Sequence, residues 1–266
     1  MTLDFTVLGC GSSGGIPRAD GNWGDCDPTE PKNRRSRCSL LVRRGEGQGA
    51  TTVVIDTSPD FRTQMINAQV RRLDAVLYTH DHADQVHGID DVRAYFLQNR
   101  RRIPTWMDQA TYDSLTARFR YIFESEGGYP AIMEPWLIPP HGEAWVVDGP
   151  GGEIPVKTFD VEHGDIRAVG YRIGDVAYTP DVGGISEQGF DALADLDVWI
   201  VDALRWTTHP SHSHVEQTLE WIARARPRKA ILTNMHIDLD YNALASRLPA
   251  NAIPAFDGMT FSSAAS

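Results

Sequence analysis

VLYTHDHADQVHGIDD, residues 76–91, decides how this chain is read. A short apolar run ends in His80, Asp81, His82 and Asp84, with Gln85 among them and His87 just behind. An apolar run closed by polar residues reads as a strand and the turn that follows it. Imidazoles and carboxylates gathered at a strand tip are metal-ligand chemistry. Imidazole suits zinc, iron and other transition ions, and a carboxylate can bridge two of them. A single His before a polar loop is more often structural. The compact His-x-His-x-Asp triple is much harder to explain that way.

Working outward, the same arrangement recurs. Apolar runs rich in Val, Ile and Leu read as strands near 3–8, 39–43, 52–56, 74–79, 155–161, 167–173, 175–179, 197–202, 229–234 and 252–262. Helical stretches lie at 59–68, 90–98, 109–118 and 214–225. In the last, Ser213 and Glu216 carry a capping-box signature, and Val215, Leu219 and Ile222 share a face. Several strands end in further ligand types: VKTFDVEHGD in His163, VAYTPDVGG in Asp181, AILTNMHIDLDY in His236. Near-continuous apolar strands are usually buried on both faces, with helices as cover. The class is therefore α/β, and such layers collect their strand ends along one edge. Residues 119–152, containing EGGYP and IPPHGE, read as a long Gly/Pro-rich connection, functional or mobile.

Composition narrows the function. The 266 residues are 41% hydrophobic and read as a single domain over 1–266. No run approaches the roughly 18 apolar residues of a membrane helix, and MTLDFTVLGCG lacks the pattern of a signal peptide. The expectation is a soluble cytoplasmic protein without membrane partners. Cys10, Cys26 and Cys38 then read as reduced thiols. A formal net charge of -11 argues against a large nucleic-acid footprint. The basic runs NRRSR (33–37) and NRRR (99–102) read as solvated faces or as a small phosphate pocket.

THDHADQ resembles the His-x-His-x-Asp-His signature of the metallo-β-lactamase fold, and His163, Asp181 and His236 follow in that superfamily's order. LGCGSSGGIPR, VVIDTSPDFRTQ and ILTNMHIDLDY are similar to the branch of phosphoribosyl 1,2-cyclic phosphodiesterases, near the tRNA 3′-processing nucleases. The resemblance implies an αββα sandwich, two mixed sheets covered by outer helices, with a dinuclear centre at one sheet edge. It implies His80, His82 and His163 on a first metal, Asp84 and His236 on a second, and Asp181 bridging them. It implies Zn or Mn, one or two ions, and a hydroxide formed on the metal attacking phosphorus in a small cyclic phosphate or nucleotide-like ester.

Gln85 stands where the family signature has His. An amide oxygen is a weak, hard ligand, better suited to manganese than to zinc. The second ion then binds through Asp84, Asp181 and His236, or with help from the Gln85 oxygen, or the centre works with one ion; the first two readings are preferred. His87 is a substitute ligand or, preferably, a structural residue. In HPSHSH (209–214), His212 is the candidate to protonate the leaving oxygen or bind phosphate, with His214 its rival. Asp84 is the candidate to hold the attacking hydroxide. The glycines of 10–18 read as a tight turn or a phosphate cradle, with Arg34, Arg35 and Arg37 as phosphate partners. Related phosphodiesterases can carry a Cys-rich zinc site near the N-terminus. Without a Cys-x-x-Cys, Cys26 and Cys38 are expected to hold no such ion. Other readings are thioester, lactone or carboxyl-ester hydrolysis on the same centre, or a degenerate metal-containing nucleotide-binding protein. A homodimer is compatible with the sequence.

Overall fold

The computed structural model describes residues 2–264. Six strands open the chain: β1 (Thr2–Gly9), β2 (Ser39–Arg44), β3 (Thr51–Ile55), β4 (Ala75–Leu77), β5 (Ile103–Met107) and β6 (Met133–Leu137). Seven follow: β7 (Ala144–Val147), β8 (Ile154–His163), β9 (Ile166–Ile173), β10 (Val176–Thr179), β11 (Val198–Asp202), β12 (Lys229–Thr233) and β13 (Ala252–Pro254). The last, β14 (Met259–Ala264), returns to pair antiparallel with β1. The strand orders are β14-β1-β2-β3-β4-β5-β6 and β13-β12-β11-β10-β9-β8-β7. Each sheet is mixed. In the first, β1 to β3 are antiparallel and β3 to β6 parallel. In the second, β7 to β10 are antiparallel and β10 to β13 parallel.

Period-two alternation explains the stacking. Val53, Ile55, Ala75 and Leu77 of the first sheet enter a core shared with Val156, Val161, Val169 and Tyr171 of the second. Their neighbours Val54 and Val76 face the other way, into a layer of helices. These are α1 (Phe61–Asn67), α2 (Ala83–Val86), α3 (Arg93–Asn99), α4 (Gln109–Arg118) and α5 (Arg120–Phe123), which contribute Phe61, Val86, Tyr95, Leu115 and Ile122. On the second sheet lie α6 (Glu187–Ala192), α7 (Val215–Ala225) and α8 (Tyr241–Ala245), which contribute Val215, Ile222 and Leu244. The molecule is the expected αββα sandwich. At about 1.5–3 kcal/mol per buried Val or Leu, the three residues of β4 hold their place by burial rather than by length.

Three expectations need correction. The run 252–262 is not one strand: Asp257 and Gly258 break it, and its halves join different sheets. Periodicity could not show this, because both halves are apolar and extended. Residues 119–152 are not an unstructured connection; they hold α5 and the two edge strands β6 and β7. Those edges are half exposed, so their pattern is weak. The capping box is absent: α7 begins after His214, while the buried Ser213 turns its Oγ to the Asp202 carbonyl at 2.8 Å. No helix among the described residues is long and apolar enough to cross a membrane.

Candidate metal centre

The tip of β4 is pinned before it delivers its histidines. Val169 N donates to the Thr79 carbonyl at 2.8 Å, and the Tyr171 hydroxyl donates to the Tyr78 carbonyl at 2.7 Å. The second sheet thereby fixes the first at the residues before His80. Next door, Asp56 follows β3 at φ 64 and accepts from Thr79 N at 2.8 Å and Thr79 Oγ1 at 2.9 Å. With its proton given to Asp56, Thr79 Oγ1 can only accept from His80 Nδ1, 3.0 Å away. The His80 hydrogen therefore sits on Nδ1, which leaves the lone pair on the buried Nε2; that atom has no hydrogen-bond partner.

His82, at the start of α2, and His163, at the end of β8, complete a triangle. The ring centroids of His80, His82 and His163 are 4.6 to 4.9 Å apart. His163 Nδ1 donates to the Ser211 carbonyl at 2.8 Å, so its Nε2 also offers a lone pair, 3.1 Å from His82 Nδ1. One ring nitrogen from each of the three lies within 4.8 Å of the others. Tetrahedral zinc with bonds of about 2.0–2.1 Å to nitrogen sets its ligands roughly 3.3 Å apart. Converging lone pairs repel unless a proton or a cation sits between them. Burial and the neighbouring imidazoles hold His80 well below the ordinary imidazole value. Burial and His212 push His163 down to about 4. Neutral imidazoles are the ligand form, so these residues fit a metal ion. Asp81, between the two histidines, turns away to Ser114 Oγ at 2.5 Å.

A carboxylate-rich side adjoins the triangle. Asp181 follows β10 and is buried; burial raises its carboxyl well above the usual range, and His212 pulls the other way. Asp181, His163 and His212 also lie close enough to hold an ion together. His212 Nδ1, however, is engaged with Asp202 Oδ2 at 2.8 Å. Burial alone would lower His212, but the Asp202 carboxylate outweighs it and pushes the imidazole up to about 9. We therefore read His212 as an imidazolium. His214 caps nothing with its side chain. His87 is exposed, 3.1 Å from Arg118 Nη2 and edge-on to Phe119, away from the triangle.

Among the described residues, Asp84 in α2 and His236 after β12 join neither cluster close enough to hold an ion, and Gln85 sits beside Asp84. The Gln85 amide nitrogen faces the carboxylates, 3.1 Å from Asp181 Oδ2 and 3.4 Å from Asp84 Oδ2; its oxygen has no partner. That differs from an oxygen donor aimed at a cation. Asp84, His212 and His236 line one small cavity of about 240 Å³ with Ser12, Ser13, Arg18, Arg205, His209 and Asn234.

Sequence reading missed Arg18, Asp202 and Asn234. Arg18 Nη2 lies 2.6 Å from His236 Nε2, and Asn234 Nδ2 donates to Asp181 Oδ1 at 3.3 Å. The strand-end position of Asp202, just before HPSHSH, was the available signal. Arg34, Arg35 and Arg37 are elsewhere. They line a separate cavity of about 640 Å³ that shares no residue with the first. Arg35 is buried against the Leu239 carbonyl at 2.8 Å, Arg37 pairs with Asp60 at 3.0 Å, and Arg34 lies over the Trp23 ring. The three cysteines are buried free thiols.

With this geometry, comparison with known proteins is informative. The β-lactamase superfamily domain profile matches residues 51–237. A crystal structure of a diphosphatase from the PhnP family has a TM-score of 0.86 and 31% identity, covering 98% of this chain and 97% of that one. Zn(2+)-bound PqqB from Methylobacterium extorquens (TM-score 0.75, 17% identity, 97% and 99% covered) and human tRNase Z, short form (0.66, 16%, 97% and 98%), share the fold. An octanoyltransferase of Porphyromonas gingivalis is 30% identical over 95% of this chain, which spans only 50% of that protein's length. The profile covers well over half of the chain, and the histidine triangle lies inside it: the protein belongs to the β-lactamase superfamily, in its metal-dependent hydrolase fold.

Proposed function

We propose that the chain hydrolyses small phosphate compounds at phosphorus, a phosphodiester such as a cyclic phosphate or nucleotide-like ester being the preferred substrate. The observation that carries this is the composition of the small cavity, where the His212 imidazolium and the Arg18 guanidinium stand beside the histidine triangle. An anionic phosphate is the ligand for which such a set is complementary. A divalent ion on His80, His82 and His163, with Asp181 adjoining, would supply Lewis acidity toward a phosphoryl oxygen and water. Zn and Mn both suit this donor set.

The chain's own groups do the rest. Asp56 and Thr79 orient His80, and the Ser211 carbonyl orients His163, as outer partners of metal-binding imidazoles do. Asp202 holds His212 by Nδ1. That leaves its Nε2–H to meet a phosphate oxygen or give a proton to the leaving group. Asp84 borders the same cavity and can orient water.

The similarity to a PhnP-family diphosphatase supports chemistry at phosphorus and adds phosphoanhydrides to the substrates worth testing. The octanoyltransferase relative favours a second reading, hydrolysis or transfer of an acyl thioester. The small cavity is lined by Ser, Arg, Asp, Asn and His with Leu204 as its one apolar residue, a poor slot for an eight-carbon chain. The metal-loaded protein should be assayed on bis(p-nitrophenyl) phosphate, nucleoside 2′,3′-cyclic phosphates, diphosphates and acyl thioesters. Turnover of the phosphate compounds is the expected outcome. Turnover confined to thioesters would replace this reading with the second.

A further inference from the structure

The family resemblance implies two positions for a cation, and the chain treats them differently. On one side His80 Nε2 has no partner, and His82 Nδ1 and His163 Nε2 meet each other, 3.1 Å apart. On the other, Asp84, Asp181 and His236 already have partners, and the Gln85 oxygen lacks one. His236 Nδ1 sits 3.2 Å from Asp238 Oδ1, which places its hydrogen there and the lone pair on Nε2. That lone pair accepts from Arg18 Nη2 at 2.6 Å. Asp84 and Asp181 accept from the two hydrogens of the Gln85 amide. Turning the amide over would set its oxygen against both carboxylates. Gln85 is fully buried, so no solvent screens that repulsion.

We propose that the second cation position is filled by the chain itself, by the Gln85 amide between Asp84 and Asp181 and by the Arg18 guanidinium on His236. The centre then works with one metal ion, and Arg18 receives the negative charge of the substrate that a second ion would otherwise meet. This departs from the preferred expectation of two ions, and it rests on the metal-dependent reading above. Placement supports it: Arg18 Nη2 lies 2.6 Å from His236 Nε2, and the Arg18 stem passes close to Gly14.

The test is metal content. Chelated protein is reloaded with excess zinc or, separately, manganese, desalted, and measured by elemental analysis and native mass spectrometry. Wild type should retain one ion per chain. The double variant Arg18→Ala, Gln85→His should retain two, with circular dichroism confirming its fold. Arg18→Ala alone should keep one ion and bind inorganic phosphate at least tenfold more weakly. Two tightly held ions in wild type would overturn this inference while leaving the hydrolase reading intact. So would a folded double variant that still holds one ion, or phosphate affinity unchanged in Arg18→Ala. A wild type that holds no ion overturns the metal-dependent reading and this inference with it.

Discussion

The two sides of Asp181 differ in what the chain leaves open. On the imidazole side, Thr79 and the Ser211 carbonyl hold His80 and His163 from outside, His80 Nε2 meets nothing in the chain, and His163 Nε2 meets His82. On the amide side, the Gln85 nitrogen meets Asp84 and Asp181 and Arg18 meets His236, which leaves the Gln85 oxygen without a partner. A site left unfinished by the polypeptide is one that a ligand completes, because buried polar groups without partners cost about 1–3 kcal/mol each. A site that completes itself has less to gain from an ion.

The comparison can be broken most directly on the imidazole side. His163→Ala should abolish metal retention and lower kcat/KM by more than about 10³-fold, because several kcal/mol of charge stabilisation go with the ion. Retained metal and activity in this variant would mean the triangle is not the binding site. His212→Asn should lower kcat by about 10²-fold or more, the usual share of a general acid, while metal content stays unchanged. A joint loss of metal would instead make His212 a ligand.

Thr79→Val removes the hydroxyl that links Asp56 to His80 and should weaken metal binding about 10–100-fold in a chelator competition. On the amide side, Gln85→Leu should leave metal affinity at the triangle within about tenfold of wild type. It should cost roughly 1–3 kcal/mol in denaturant unfolding, because Asp181 Oδ2 loses its donor. If Gln85→Leu instead emptied the triangle, the two sides would not be separable.

The smallest effect concerns Asp257, which ties the loop carrying Arg18 to the end of β1 through Cys10 N at 3.1 Å and Ser36 N at 2.7 Å. Burial raises its carboxyl to about 6 against the opposing pull of those donors. A group with a raised folded value binds more protons when folded, so its contribution is full below about 4 and declines as pH rises through about 6. Thermal melts of Asp257→Asn should show less decline between those pH values than wild type. Equal slopes would exclude Asp257 as the cause.

Much of the centre was readable one strand at a time. Each candidate ligand sits at the end of an apolar run, and alternation along that run sets which faces are buried. Hence the α/β class, the sandwich and the gathering of His80, His82, His163 and Asp181 were legible. The edge strands β6 and β7 were not, since their exposed faces blur the alternation. Nor was the break at Asp257, where one apolar run serves two sheets.

By itself the sequence determined which chemistry is present and that it lies at strand ends, because burial periodicity is a local property of the chain. Only the tertiary structure decided which partner each group meets. Arg18 reaches His236 across 218 residues, Gln85 reaches Asp181 across 96, and Asp202 takes the Nδ1 of His212. Those pairings follow from sheet order and from the loop after β1 crossing to β12, and no spacing along the chain encodes them.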